Sequence, residues 1–267
     1  MISFIKWSGS KRSQAKMIVK EIKKNQFATY YEPFLGSGAI LGELNPSRAI
    51  GGDIYGPLIG LWLDIRDSPD EVVKNYRLQW QKLQDQGHTY FYEVRNRFNK
   101  NHDPRDLLFL SRTCVNGLIR FNAKGEFNNS LHHSRKGMNP DTLEKIITRW
   151  SEVIQHDEFL CGDYRQVTKH ATSKDIIYLD PPYFNNKNRY LENIEYEKFI
   201  DYLRDLNKRS IKFILSYDGH TDTKIYDHHL PEELYVRKVL LHSGLSAFRK
   251  TQDKLSDPVY ESLYMNF

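Results

Sequence analysis

Cysteine is almost missing from this chain: Cys114 and Cys161 are the only two in 267 residues. Two thiols cannot build a disulfide framework or a cysteine-rich zinc site, and buried reduced thiols are the expected state of both. Long apolar runs are missing too, none approaching the roughly 20 residues a membrane-spanning helix needs. The N-terminus lacks the apolar core of a secretory signal, so a cytoplasmic protein is expected. Internal repeats and low-complexity tracts are also lacking, which excludes solenoids. The length suits one large core with a smaller subdomain attached rather than two independent enzymes.

Charge is present, and it is unevenly placed. Lys and Arg number 39 against 34 Asp and Glu, a net charge of +5. Residues 1–25 hold seven Lys/Arg against Glu21, and residues 112–136 hold five against Glu126. Clustered positive charge favours a polyanionic partner, although a solvated basic face is the plainer alternative.

Apolar periodicity divides the chain. Ala15, Ile18, Val19 and Ile22 recur at helical spacing between Lys11 and Asn25. The β-prone run Thr29 to Phe34 ends in Leu35-Gly36-Ser37-Gly38 and is followed by the helix-compatible Ala39 to Leu44. A second short strand, Ala49 to Asp53, ends in an acid 17 residues beyond Gly36, which begins a dinucleotide-fold pattern. Tyr55 to Ser111 reads as several helices with breaks at Pro69, Gly87 and Pro104. Arg112 to Gly137 loses the periodicity and reads as a hairpin or long loop. A helix from Asp141 to about Gln155 and a strand at Phe159-Leu160-Cys161 follow. Asp175 to Leu179 is a strand of the kind buried on both faces. After it come a polar loop at Asn185 to Arg189, a helix from about Tyr196 to Lys208, the strand Lys212 to Tyr217, and strands near residues 234–241 and 259–266. The expected fold is α/β, with a catalytic domain of residues 1–54 and 158–267 and an inserted helical and hairpin subdomain of residues 55–157.

In open α/β sheets ligands bind beyond the carboxyl ends of the strands, where Gly36, Gly38, Asp53 and Asp180 all fall. Glycines there allow close backbone approach, and an acid ending the second strand can accept from a ribose diol. Phe34 to Gly38 taken alone fits a plain turn as well as a cofactor loop. Asp180-Pro181-Pro182-Tyr183 is more specific, because its parts suit the binding of an exocyclic amine conjugated to a ring. The Asp180 carboxylate and the Pro181 carbonyl can each accept one N–H, drawing the nitrogen toward tetrahedral geometry and freeing its lone pair. Tyr183 offers a flat face for an extruded base, and the prolines fix where the carbonyl points. An acid at a strand end followed by a proline turn is the simpler reading.

These segments resemble, in order and over nearly the whole chain, the Dam-type family of adenine-N6 DNA methyltransferases (the D12 class, alpha group). Lys6-Trp7-Ser8-Gly9-Ser10-Lys11 is similar to its opening cofactor motif, Tyr31 to Gly38 to its glycine motif, Asp53 to its ribose-binding acid, and Asp180 to Tyr183 to its catalytic motif. Asp163 sits where the family places residues near the cofactor's adenine. The resemblance implies a Rossmann-like methyltransferase sheet that uses S-adenosyl-L-methionine and releases S-adenosyl-L-homocysteine. Its implied cofactor contacts are Trp7, Lys11, Phe34, Gly36, Gly38, Asp53, Asp163 and Asp180, and its implied catalytic residues are Asp180, Pro181, Pro182 and Tyr183. The implied activity is methylation of adenine N6 in a short duplex DNA sequence by base flipping and direct attack.

Arg112 to Asn128 closely resembles the region leading into that family's DNA-reading hairpin. Its residue types fit: Arg112 opens it, Arg120, Lys124, Arg135 and Lys136 can contact phosphates or guanine edges, Asn116 and Asn122 can read adenine, and Phe121 can wedge between bases. For any one of these, a solvated loop residue is the alternative. After Asn128 the sequence departs from the Val-Pro-Phe-Gly run of family members that methylate GATC, so the resemblance does not carry GATC as the target. His132 and His133 are adjacent and cannot share a metal as residues one helical turn apart can; no metal is expected. Ser216-Tyr217 falls near the expected base pocket, and Arg249-Lys250 lies in another basic stretch.

Double-stranded DNA is the expected partner, and whether a cognate restriction endonuclease accompanies the chain stays open. Two rivals remain: an amino methyltransferase acting on cytosine N4, RNA or a protein amide, and a DNA-binding or repair protein without transferase activity. A cytosine C5 enzyme needs a nucleophilic Cys after Pro and a base deaminase needs zinc-ligand cysteines, and neither pattern occurs.

Overall fold

Short apolar strands set the frame. In the computed structural model, which describes residues 1–134, 136–182, 194–220, 230–242 and 260–267, seven strands form one sheet. They are β1 (Tyr30–Glu32), β2 (Ala49–Asp53), β3 (Glu158–Cys161), β4 (Ile176–Leu179), β5 (Lys212–His220), β6 (Arg237–His242) and β7 (Tyr260–Met265), in the spatial order β3-β2-β1-β4-β5-β7-β6. The first five pair in parallel, and β7 runs antiparallel to both β5 and β6. β4 is buried at all four positions, as a central parallel strand covered on both faces must be. From β1 the chain proceeds outward to β2 and β3, then returns to lay β4 and β5 on the other side. The carboxyl ends of β1 and β4 therefore flank the point where the strand order reverses, the crevice such sheets use for ligands.

The helices begin where the sequence is punctuated. α3 (Gly56–Asp67), α4 (Pro69–Gln86), α5 (His88–Asn101) and α6 (Pro104–Thr113) follow one another with breaks at Ser68, Gly87 and Asp103. Proline at the first helical position removes an N–H that would lack an intrahelical partner anyway. The Asp103 carboxylate accepts from the N–H groups of Arg105 (2.8 Å) and Asp106 (3.3 Å), and Asn139 caps α7 (Pro140–Val153) in the same way. α1 (Ala15–Ile22) buries the four predicted apolar residues but is shorter than the Lys11–Asn25 periodicity suggests. Residues 11–14 form a turn instead, with the Gln14 N–H donating to the Lys11 carbonyl. α2 (Ala39–Leu44), α8 (Tyr164–Val167) and α9 (Tyr196–Lys208) complete the helical layers.

The apolar core runs without a break from the sheet into the helices between β2 and β3. Trp62 of α3 stacks on Phe159 of β3 at 5.3 Å and meets Trp150 of α7 edge-on at 5.0 Å. The Trp62 indole N–H also donates to the Gly36 carbonyl (3.2 Å), tying an inserted helix to the turn after β1. Between α6 and α7 the chain forms a hairpin. Antiparallel bridges pair Cys114 with Leu131 and Phe121 with Phe127, and the Asn122 N–H donates to the Glu126 carbonyl at the tip. Among the described residues no helix is long and apolar enough to cross a membrane.

Candidate active site

A cavity of about 320 Å³ opens at the carboxyl ends of β1, β2 and β4. That size falls within the range of small-molecule sites. Trp7, Lys11, Phe34, Gly36, Asp53, Asp163, Asp180, Pro181 and Pro182 line it, so one wall gathers residues from five separate segments. Gly36 passes close beneath the Trp7 ring. Its φ of +48° is left-handed, and a Cβ there would lie 2.9 Å from the Trp7 indole, so only glycine lets the turn fold beneath that ring. Asp53 ends β2 and accepts from the N–H groups of Gly36 (3.2 Å) and Tyr55 (3.0 Å), which leaves it further lone-pair positions. Burial pushes its carboxyl up to about 6 against these bonds. Phe34 stacks on Tyr164 at 5.5 Å and forms part of the apolar wall. Asp163 caps α8 and is chelated by Arg165, with Nε at 2.7 Å.

Gly38 is the exception among the expected cofactor residues. It does not line the cavity; its φ of +61° starts α2, and a Cβ would lie 2.5 Å from the Trp62 ring. Helix packing, not ligand approach, requires glycine there.

Buried charge gathers at the β1/β4 end. Lys11 Nζ lies 2.9 Å from Asp180 Oδ1 and 2.6 Å from Glu261 Oε1 on β7. Burial pushes the Asp180 carboxyl up to about 6; Lys11 opposes that rise and Glu261 adds to it. Glu32, at the end of β1, accepts from the Tyr30 hydroxyl (2.8 Å) and the Leu41 N–H (2.9 Å), and burial raises it to about 8. The Tyr178 hydroxyl shares a 2.8 Å hydrogen bond with Ser216, which puts Ser216 just behind the cavity wall.

The hairpin also lines the cavity, through Ile119 and Phe121. Phe121 packs edge-on against Tyr55 at 5.3 Å, and Tyr55 lies 6.0 Å from Trp7. Phe121, expected to wedge between bases, has its ring at the cavity against Tyr55. Arg112 corrects the expectation of a DNA contact. It is buried, with Nε donating to the Phe4 carbonyl (2.6 Å) and a second N–H donating to the Ser3 carbonyl, so it ties α6 to the N-terminal segment. Asn122 closes the hairpin tip, its Oδ1 accepting from the Lys124 and Glu126 N–H groups (2.9 and 3.0 Å). Asn116, Arg120, Lys124 and Lys136 are exposed, and Arg120 Nε donates to Asn128 (2.9 Å). Tyr183, Arg135, the Asn185–Arg189 segment and Arg249-Lys250 lie outside the described residues. Among the described residues no three His, Cys, Asp or Glu side chains are grouped to hold a metal ion.

Sequence reasoning missed Glu32, Tyr55 and Glu261. The signal for Glu32 was an acid two residues from Tyr30 in a strand, hence on the same face. For Glu261 it was an acid inside an apolar C-terminal strand.

Comparison with known proteins agrees with this geometry. A family model described as D12 class N6 adenine-specific DNA methyltransferase matches residues 7–242. The type II methyltransferase M.MjaIII of Methanocaldococcus jannaschii is 28% identical over 99% of this chain and 98% of its own length. The DNA adenine methylase of Escherichia coli K12 is 32% identical over 68% of this chain and 64% of its own length. The type II methyltransferase M1.LlaDCHI of Lactococcus lactis subsp. cremoris is 27% identical over 67% of this chain and 65% of its own length.

Proposed function

Because the chain belongs to the D12 class N6 adenine-specific DNA methyltransferases, we propose that Asp180 and the Pro181 carbonyl hold the amino group of an adenine swung out of duplex DNA. The enzyme methylates adenine in DNA at specific sites, and methyltransferases of this kind draw the methyl group from S-adenosylmethionine. The observation that carries the proposal is the position of Asp180. It faces the cavity beyond β4, beside two prolines, and the hairpin residue Phe121 lines the same space.

The cavity fits the donor. Gly36 beneath Trp7 leaves a cradle that a Cβ would fill, and Asp53 keeps acceptor positions for a ribose diol. Trp7, Phe34, Gly36, Asp53 and Asp163 are the residues that would hold it, with Lys11 beside Asp180 at its methionine end. When bound, the donor supplies an electrophilic methyl carbon on a sulfonium whose leaving group is a neutral thioether.

Asp180 and the Pro181 carbonyl each accept one N–H of the adenine, which pulls the nitrogen out of conjugation and aims its lone pair. The proton that the methylated nitrogen would shed has its acceptor in the Asp180 carboxylate. Extruding the base is what makes N6 reachable from a duplex. Tyr183 stacks on it in this reading. Residues 55–157 act as the recognition subdomain, with Asn116, Arg120, Lys124 and Lys136 toward the DNA, and a cytoplasmic site of action completes the proposal.

The test is transfer of labelled methyl groups to duplex DNA. Asp180→Ala should lose activity by about 10³-fold or more while calorimetry still detects donor binding; a folded variant that keeps its rate refutes the assignment.

A further inference from the structure

Glu261 stands on β7, 250 residues from Lys11 in sequence (261 minus 11), and is only 4% exposed. Its partner Lys11 is shared: the ammonium sits between Glu261 (2.6 Å) and Asp180 (2.9 Å) in the wall of the cavity. Taking three ionic groups out of water is costly, and an apolar filling of the same volume is often at least as stable. The cluster therefore calls for an explanation beyond folding.

The neighbours of Asp180 narrow that explanation. Lys11 faces it from the N-terminal segment, Tyr30 and Glu32 from β1, Tyr178 with its bonded Ser216 from β4 and β5, and Glu261 from β7. Burial raises both tyrosines further above their ordinary range, and Glu32, raised to about 8, is largely uncharged at neutral pH. Among the described residues, Lys11 and Glu261 are then the two groups whose charge acts on Asp180. Paired with Lys11 alone, Asp180 would have most of its charge cancelled by an ammonium in hydrogen-bond contact. A second carboxylate on the same ammonium draws it partly away and leaves the cluster with an excess negative charge.

We propose that Glu261 is a positioning residue for methyl transfer, sharing Lys11 with Asp180 so that the Asp180 carboxylate is fixed at the cavity wall and keeps its acceptor strength for the substrate amine. This rests on the reading that Asp180 grips the amine. It also predicts opposite consequences for the two partners of Asp180. Removing the negative neighbour leaves Lys11 to stabilise the Asp180 anion alone, so Asp180 titrates lower; removing the cation makes it titrate higher.

The experiment is the pH profile of single-turnover methylation of duplex DNA by the full chain. A carboxylate carbon-13 titration of the donor-free protein, with Asp180→Asn to assign the Asp180 signal, accompanies it. Glu261→Gln should move both the acid limb and the Asp180 titration down by about one pH unit and lower the plateau rate about tenfold, with KM for DNA unchanged. Glu261→Asp, which keeps the charge, should restore the limb. Lys11→Gln should move limb and titration upward. A folded Glu261→Gln protein with limb and titration unmoved overturns the proposal. If that variant does not fold, Lys11→Gln decides, and an unmoved titration there overturns it equally. The premise fails separately: Asp180→Ala retaining transfer removes the grip on the amine, whereas an inactive Asp180→Ala beside an unshifted Glu261→Gln removes only the role of Glu261.

Discussion

On the sheet side of the cavity, Glu32, Asp53 and Asp180 stand at the ends of parallel strands whose register is fixed by backbone pairing across β2, β1 and β4. On the hairpin side, Ile119 and Phe121 belong to a segment with two isolated antiparallel bridges. There, side chains do much of what backbone does in the sheet. Asn99 of α5 donates to the Phe127 carbonyl (3.1 Å) and accepts from the Phe127 N–H (2.8 Å), as a neighbouring strand would. Asn129 donates to the carbonyls of Val115 and Leu118 (2.9 and 2.8 Å), and Arg95 donates to the Asn129 carbonyl (3.3 Å). The cavity's acidic groups thus rest on geometry that many strands enforce together, while the surface proposed to meet DNA rests on a few substitutable amides.

If that contrast holds, the largest effect outside Asp180 belongs to the sheet wall. Gly36→Val forces a branched residue into a left-handed conformation and against Trp7, so donor affinity measured by calorimetry should fall about 100-fold. An unchanged affinity would place the donor away from the turn after β1. Next comes Arg112→Ala, which strips one buried and one part-buried carbonyl of their donor and should cost about 2 kcal/mol in chemical denaturation. The slope of DNA affinity against salt should not change; a smaller slope would return Arg112 to the DNA surface.

Asn99→Ala tests the hairpin wall directly. Losing both bonds to Phe127 should raise KM for DNA about tenfold while donor affinity is unaffected, and equal damage to both would erase the distinction between the walls. The smallest effect is expected for Lys124→Ala. Exposed and proposed to meet a phosphate, Lys124 when removed should weaken DNA binding a few-fold for all sequences and reduce the salt slope by about one, with thermal stability unchanged.

Legibility in the sequence follows the same division. The strand, glycine turn and helix around Gly36, the acids ending β2 and β4, and the breaks between helices at Pro69 and Pro104 are local features, decided by residues a few positions apart. The span of the hairpin was legible because periodicity fails there. Arg112 misled because it neighbours that basic segment, whereas α6 is buried over its last two turns and the guanidinium is held by the Phe4 and Ser3 carbonyls. Asn122 was read as a base contact, yet its short amide satisfies two N–H groups of its own turn, a role that depends on the backbone path. Glu261 showed only as an acid inside an apolar strand, and its meaning was not legible because it comes from a partner at the other end of the chain.

That separation bears on how the enzyme is made. β7 follows every other strand in sequence yet lies between β5 and β6, so the strand translated after the rest must enter a slot between two already synthesised. Lys11 leaves the ribosome well before the carboxylate that shares it. A nascent or prematurely terminated polypeptide that stops short of β7 carries the turn beneath Trp7 but not the full set of charges around Asp180. Unfinished copies would then be poor catalysts, and genomic DNA would meet full transfer activity only from molecules whose synthesis has passed residue 261.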